Sequence, residues 1–315
     1  MYPRLIEIPL PFEILGVSEI TVYSFGFMLA VSILTAAWLL GRELDRMYRT
    51  GRINSVRVPA EDEKKRKRGK TREASPSVLV GTLAIIAAVG GIVGAKLFHI
   101  LENLDQFALD PMGMIFSSGG LTFYGGLIVA GGSIAWYVNK KGVPVGAVAD
   151  AIAPGLMIGY GLGRIGCHLA GDGDWGIAAN IAAKPDWLPM WLWAESYPNA
   201  IVGAPPQPVY PTSIYEFAMA AVLFGILWSL RKHPYANGWL FGLYLIFNGV
   251  ERFLIEQIRV NNVLDFIFFQ ATQAEVIAVL TVLVGMAILA YTTRHRREDA
   301  APTEGASSEA EPATA

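Results

Sequence analysis

The sequence predicts an all-α, polytopic membrane protein of seven transmembrane helices, with its N-terminus outside and its C-terminus in the cytoplasm. Three observations lead there. Of 315 residues, 53% are hydrophobic and only 17% charged, with a mean hydropathy of +0.40, which lies outside the usual range of soluble domains. Seven apolar stretches recur, each close to the ~20 residues that cross a hydrocarbon core. Lysine and arginine then concentrate in alternate connections, as expected of cytoplasmic loops.

The stretches run Ile20 to Gly41, Ser77 to Leu101, Gly119 to Val138, Val143 to His168, Tyr210 to Leu230, Gly238 to Gln257 and Gln273 to Thr292. No basic segment precedes the first and no small-residue cleavage site follows it, so it reads as a retained span. Between Arg42 and Arg72 lie 12 of the 25 basic residues, which places that loop in the cytoplasm. Residues 59–76 and the tail 293–315 lack apolar periodicity and are expected to be disordered, outside a catalytic unit spanning 1–292. The basic run beside a span suits topology or anionic headgroups rather than nucleic acid. The connection 171–209 carries Trp175, Trp187, Trp191 and Trp193 with six prolines, the composition of an arm lying on the outer interface. Glycines four residues apart, among them Gly90 and Gly94, and Gly155 and Gly159, are expected to let helices approach closely.

Once the topology is set, the polar residues inside the spans share a depth. Lys96, His99, Arg164 and His168 fall in the outer third of two helices, and Tyr124, Tyr215 and Glu216 in the outer half of two more. Glu251, Arg252, Glu256 and Arg259 end the sixth span in the same layer, while Asp150 near the inner end of the fourth is an exception. Positions four apart share a helix face, so Tyr160, Arg164 and His168 form one stripe and Asn248, Arg252 and Glu256 another. If the stripes face each other, two arginines converge on one anion. Each such residue also has a bland reading, as a buried pair such as Arg252 with Glu256 that locks helices. No HExxH or CxxC spacing suggests a metal, and no glycine-rich loop suggests a nucleotide. The single cysteine, Cys167, excludes an internal disulfide. Arginine's planar fork suits phosphate, so a layer of this kind near the outer leaflet points to a phospholipid headgroup.

Four motifs extend this reading by resemblance. GRIGCHLAGDGDWG at 163–176 resembles the signature segment of bacterial prolipoprotein diacylglyceryl transferases, and GGLTFYGG at 119–126, YPTSIYE at 210–216 and RFLIEQIR at 252–259 resemble further motifs in the family's order. GAKLFHIL at 94–101 adds a fifth match. The resemblance implies transfer of a diacylglyceryl group from phosphatidylglycerol to the lipobox cysteine of a prolipoprotein signal peptide, in the bacterial inner membrane, without cofactor or metal. It carries Arg164 and Arg252 over as the essential arginines. Tyr215, Glu216, Glu256 and Arg259 match the later motifs, with Gly163, Gly166 and Gly176 in the signature and Lys96, His99 and Asn248 lining the same layer. Two departures stand out: Tyr124 replaces the family's histidine and Cys167 its asparagine. A phenol with an ordinary pKa near ~10 is a poor base, which leaves His168 or His99 as replacements and Tyr124 as a holder of a lipid oxygen. Either Asp172 or Asp174 takes the place of the family's acidic residue. A lipid transporter or a non-catalytic lipid-binding relative are the rival readings.

Overall fold

The structure is a computed structural model that describes residues 2–14, 17–59, 71–117, 122–260, 263–265 and 270–295. Among the described residues seven long helices make up the bundle: α1 (Ser24–Arg49), α2 (Val80–Glu102), α5 (Phe123–Lys140), α6 (Val145–Ala170), α8 (Thr212–Leu230), α9 (Trp239–Glu256) and α10 (Gln273–Arg294). Shorter helices α3 (Leu104–Leu109), α4 (Pro111–Phe116) and α7 (Met190–Trp193) lie in the connections. Among the described residues five helical segments are long and apolar enough to cross a membrane: Ser24–Arg49, Pro76–Glu102, Val145–Ala170, Thr212–Leu230 and Gln273–Arg294. The protein is thus a helical membrane protein. Helices α5 and α9, 18 residues each, are not among the five, and α9 carries Glu251, Arg252 and Glu256.

Strands correct the expectation of an all-helical chain. Hairpins join β1 (Arg4–Ile14) to β2 (Val17–Tyr23), β3 (Val56–Pro59) to β4 (Thr71–Ala74), and β5 (Val263–Asp265) to β6 (Gln270–Thr272). The first pairs Ile8 with Ile20, so the helix predicted from Ile20 begins at Ser24. β-Branched residues in Ile-Thr-Val favour a pleated strand over a helix, and hydropathy alone does not distinguish the two. At its other end α1 continues two turns beyond Gly41, where buried Glu43 receives Arg46 one turn on at 3.0 Å. Of the segment expected to be disordered, Pro59 and Thr71–Ala74 belong to the second hairpin, and residues 60–70 lie outside the described residues, as does 296–315 of the tail.

Helix α6 is the hub of the bundle. It packs on α1, α8 and α9, while α2 pairs with α5 and α9 with α10. Burial follows that placement: 50% of α6's most apolar window is buried, against 17–22% in the other four candidate spans. Small residues make the close approaches, because apolar lipid offers no hydrophobic drive for helices to associate. A Cβ on Gly161 would lie 2.9 Å from the Ala220 methyl of α8, and one on Gly155 3.2 Å from the Ala36 carbonyl of α1. Gly90 meets Ala130 of α5 at 3.2 Å in the same way, whereas Gly163 faces open space.

Asp150, the depth exception, has a structural role. Fully buried on α6, it accepts hydrogen bonds from the backbone N–H of Gly238 at 2.9 Å and of Phe241 at 3.0 Å, at the N-terminus of α9. It caps a neighbouring helix whose own N-cap, Gly238, has no side chain to do so. Arg52 at 2.8 Å and His233 at 3.3 Å complete the cluster.

Candidate active site

At the opposite end of α6, the two stripes do face each other. Arg164 on α6 places Nη2 3.2 Å from Glu216 Oε1 of α8, and Arg252 on α9 places Nη1 3.7 Å from the same oxygen. Arg259, just past α9, brings a third guanidinium to 3.6 Å from it. The Tyr160 hydroxyl, one turn before Arg164, donates to that oxygen at 3.0 Å and lies 3.3 Å from Glu251 Oε1. Its ring also lies under the Arg164 guanidinium at 5.1 Å. Glu216 is completely buried, and Glu251 and Glu256 nearly so. A carboxylate in that setting requires compensation, and three arginines supply it.

Asp174 ties the connection 171–209 to this centre by accepting from both Arg164 and Arg259. Its own carbonyl is held by the Thr212 and Ser213 hydroxyls of α8, each at 3.0 Å. Burial works against ionisation of Asp174, but the Arg164 and Arg259 guanidiniums outweigh it and hold the carboxyl below its ordinary range. Asp172 instead accepts from the Asp174 N–H at 3.2 Å and so shapes the turn. Of the two aspartates, Asp174 is the one that pairs with the arginines. Gly176 brings Arg259 into place: it bridges Arg259 across a short antiparallel contact, and a Cβ there would lie 2.8 Å from the Ile258 carbonyl oxygen.

Other expected residues divide between this centre and its surroundings. Arg252 Nη2 and Glu256 Oε2 pair at 3.0 Å, and Tyr124, 37% exposed at the start of α5, interacts electrostatically with both. Asn248 is half-buried one turn before Arg252. His168 does not join the arginines: its Nε2 lies 3.5 Å from Glu195 and its Nδ1 3.3 Å from the Tyr197 hydroxyl, both in the 171–209 connection. Tyr215 likewise faces that connection, donating to the Leu192 carbonyl at 2.6 Å. On α2, Lys96 bonds the Ser117 carbonyl at 2.9 Å, and the His99 carbonyl accepts from Asn103 at 2.9 Å. Gly166 is a packing glycine, 3.0 Å from Met28 of α1 were it to carry a Cβ. Tyr160 and Glu251 are central here; the sequence put Tyr160 on the Arg164 stripe and Glu251 in the same layer, but gave neither a role of its own. Cys167, Asp172 and Asp174 bring ligand atoms within 4.8 Å of one another, but the two guanidiniums on Asp174 oppose a cation there.

The chemical character of the centre lies in its donors. Arg164 Nε, Arg252 Nη1 and Arg259 Nη1 are buried and make no hydrogen bond among the described residues. Buried polar groups are nearly always bonded, so donors in this state suit an anionic ligand.

Comparison with known proteins identifies the chain's relatives. Residues 12–291 match the model of the family described as prolipoprotein diacylglyceryl transferase. A phosphatidylglycerol–prolipoprotein diacylglyceryl transferase of Aeromonas hydrophila subsp. hydrophila is 30% identical over 275 residues, 86% of each chain. Its counterpart in Aeromonas salmonicida is 31% identical over 89% of each chain. One in Vibrio vulnificus is 32% identical over 78% of this chain and 77% of its own. With an arginine centre assembled from the matching motifs and a family match over nearly all its described length, the chain belongs to the prolipoprotein diacylglyceryl transferase family.

Proposed function

We propose that this protein transfers the diacylglyceryl group of phosphatidylglycerol to the lipobox cysteine thiol of prolipoproteins. The buried, unbonded donors of Arg164, Arg252 and Arg259 carry this reading. The thiol sulfur attacks the glycerol carbon that bears the phosphate ester; a C–S bond forms, the C–O bond breaks, and the electron pair leaves on the oxygen of glycerol phosphate. The thiol proton is released with that product. Charge builds on the departing phosphate, and guanidiniums already fixed by Glu216, Asp174 and Glu256 meet it without reorganising. Tyr124 approaches from α5 and holds a lipid oxygen. His168 and Tyr215, bonded to the 171–209 connection, position that connection over the site.

The reading extends to the membrane. Seven spans in the inner membrane, with α5 and α9 joining the five long apolar helices, set the arginine centre below the outer headgroups and the Trp-rich arm on the outer interface. The basic connection after α1 and the 293–315 tail then face the cytoplasm, and residues 1–292 form the catalytic unit. Alternation of basic residues between connections supports this orientation.

The test is direct. Purified protein, phosphatidylglycerol and a lipobox peptide should yield a peptide heavier by one diacylglyceryl group. Arg164→Ala and Arg252→Ala should each lower transfer by about 10²-fold or more, the scale of losing one oxyanion donor. Near-normal transfer by correctly inserted variants rejects the clamp. Phosphatidylglycerol binding with no thioether product identifies a non-catalytic relative.

A further inference from the structure

The far end of the bundle holds a second concentration of arginines that the transfer reaction does not use. A cavity of about 410 Å³ lies between the C-terminal turns of α1 and the end of α8, lined by Arg42, Arg46, Arg49 and Arg231 together with Trp228 and Glu43. Arg231, the C-cap of α8, is fifteen residues past Glu216, roughly 22 Å away at 1.5 Å per residue. One phosphate group therefore cannot reach both.

Charges within the cavity do not cancel. Buried Glu43 is shared by Arg46 Nε at 3.0 Å and Arg231 Nε at 3.7 Å. Asp45 accepts from the Ser75 hydroxyl at 2.5 Å and acts on Arg49 only at longer range. Among the described residues neither Arg42 nor Arg49 lies within 4.0 Å of a carboxylate. Four guanidiniums thus face two acids. The rings keep the cations in place: Arg231 lies 4.1 Å over Trp228 and Arg42 4.8 Å over Trp38. Forked donors fixed against indoles, in a cavity of ligand size, match a tetrahedral oxyanion better than a lone carboxylate.

We propose that this cavity is a binding site for a phosphate-bearing anion, separate from the site of transfer. Such a phosphate reaches it from one of two sources, the headgroup of an anionic lipid in the adjoining leaflet or free phosphate in solution. Juxtamembrane basic residues and interfacial tryptophans favour the lipid.

The experiment uses the full chain and the variant Arg42→Gln/Arg49→Gln, whose side chains lie outside the arginine centre. In one arm, native mass spectrometry follows dioleoyl phosphatidic acid binding to protein from phosphatidylcholine nanodiscs. In the other, calorimetry follows inorganic phosphate. The variant should bind the relevant probe about tenfold more weakly, as expected for two juxtamembrane cations, while converting lipobox peptide at the wild-type rate. Loss in the lipid arm alone assigns a headgroup, and loss in the phosphate arm assigns a soluble anion. Unchanged binding in both arms overturns the proposal. Glu43→Gln adds an independent check, since removing the acid that Arg46 and Arg231 share should tighten binding; unchanged or weaker binding counts against the site.

Discussion

Asp174 shows how one side chain joins two parts of the chain. It is the shared acceptor of Arg164 and Arg259, and its carboxyl is held below the ordinary range. A depressed carboxyl stabilises the fold above its unfolded pKa of about 3.9, and that contribution is lost as pH falls through the folded pKa. Melting temperature against pH should therefore separate wild type from Asp174→Asn by a constant amount near neutrality, with the gap closing below about pH 4. A gap that persists in acid removes the ion pairs as its cause. Arg164 and Arg252 were legible in the sequence, because helical spacing and depth are both one-dimensional quantities. Which aspartate pairs with Arg164 and Arg259 was not legible, since it depends on a turn in which Asp172 accepts from the Asp174 N–H. The contact between Tyr160 and Glu251 was hidden for a related reason: their meeting across 3.3 Å depends on the relative register of α6 and α9, which no local pattern encodes.

Helices and hairpins carry the next set of consequences. Asp150 caps α9 from α6, and Asp150→Ala would remove the carboxylate that Arg52 and two backbone N–H groups share. The expected cost is about 3–5 kcal/mol, the range for breaking a buried pair, read as a lower unfolding temperature in detergent. Asp150→Asn keeps an acceptor for the backbone and should cost less; equal losses in the two variants would exclude the cap. The long helices were legible from hydropathy, with boundaries shifted by several residues at the first span. The β1–β2 hairpin was not, because an apolar run of this length suits strand and helix equally until its pairing partner is known. Glycine spacing correctly marked the contacts of α2 with α5 and of α6 with α1, yet gave no sign that Gly163 would face open space.

At the scale of the molecule, the bundle turns its apolar surface outward. Leu34, Ile85 and Val284 on three different helices are each more than half exposed, as a lipid-facing belt requires. The 171–209 connection is tied back to the bundle through Tyr215, His168 and Asp174, yet leaves Trp187 81% exposed. An environment-sensitive fluorophore on Trp187→Cys should shift to the blue when the protein moves from detergent-free amphipol into lipid bilayers, and the native Cys167 is too buried to compete for label. An unchanged spectrum would remove the arm from the bilayer surface. The Asp150 cap has one more consequence. Arg164 stands fourteen residues beyond Asp150 on α6, and Arg252 fourteen beyond Gly238 on α9. The two helices run like rulers zeroed at a common mark, so equal lengths deliver the two cations to equal height. Inserting one residue into either would swing its guanidinium by about 100° and break the phase between them, although every side chain of the site would still be present.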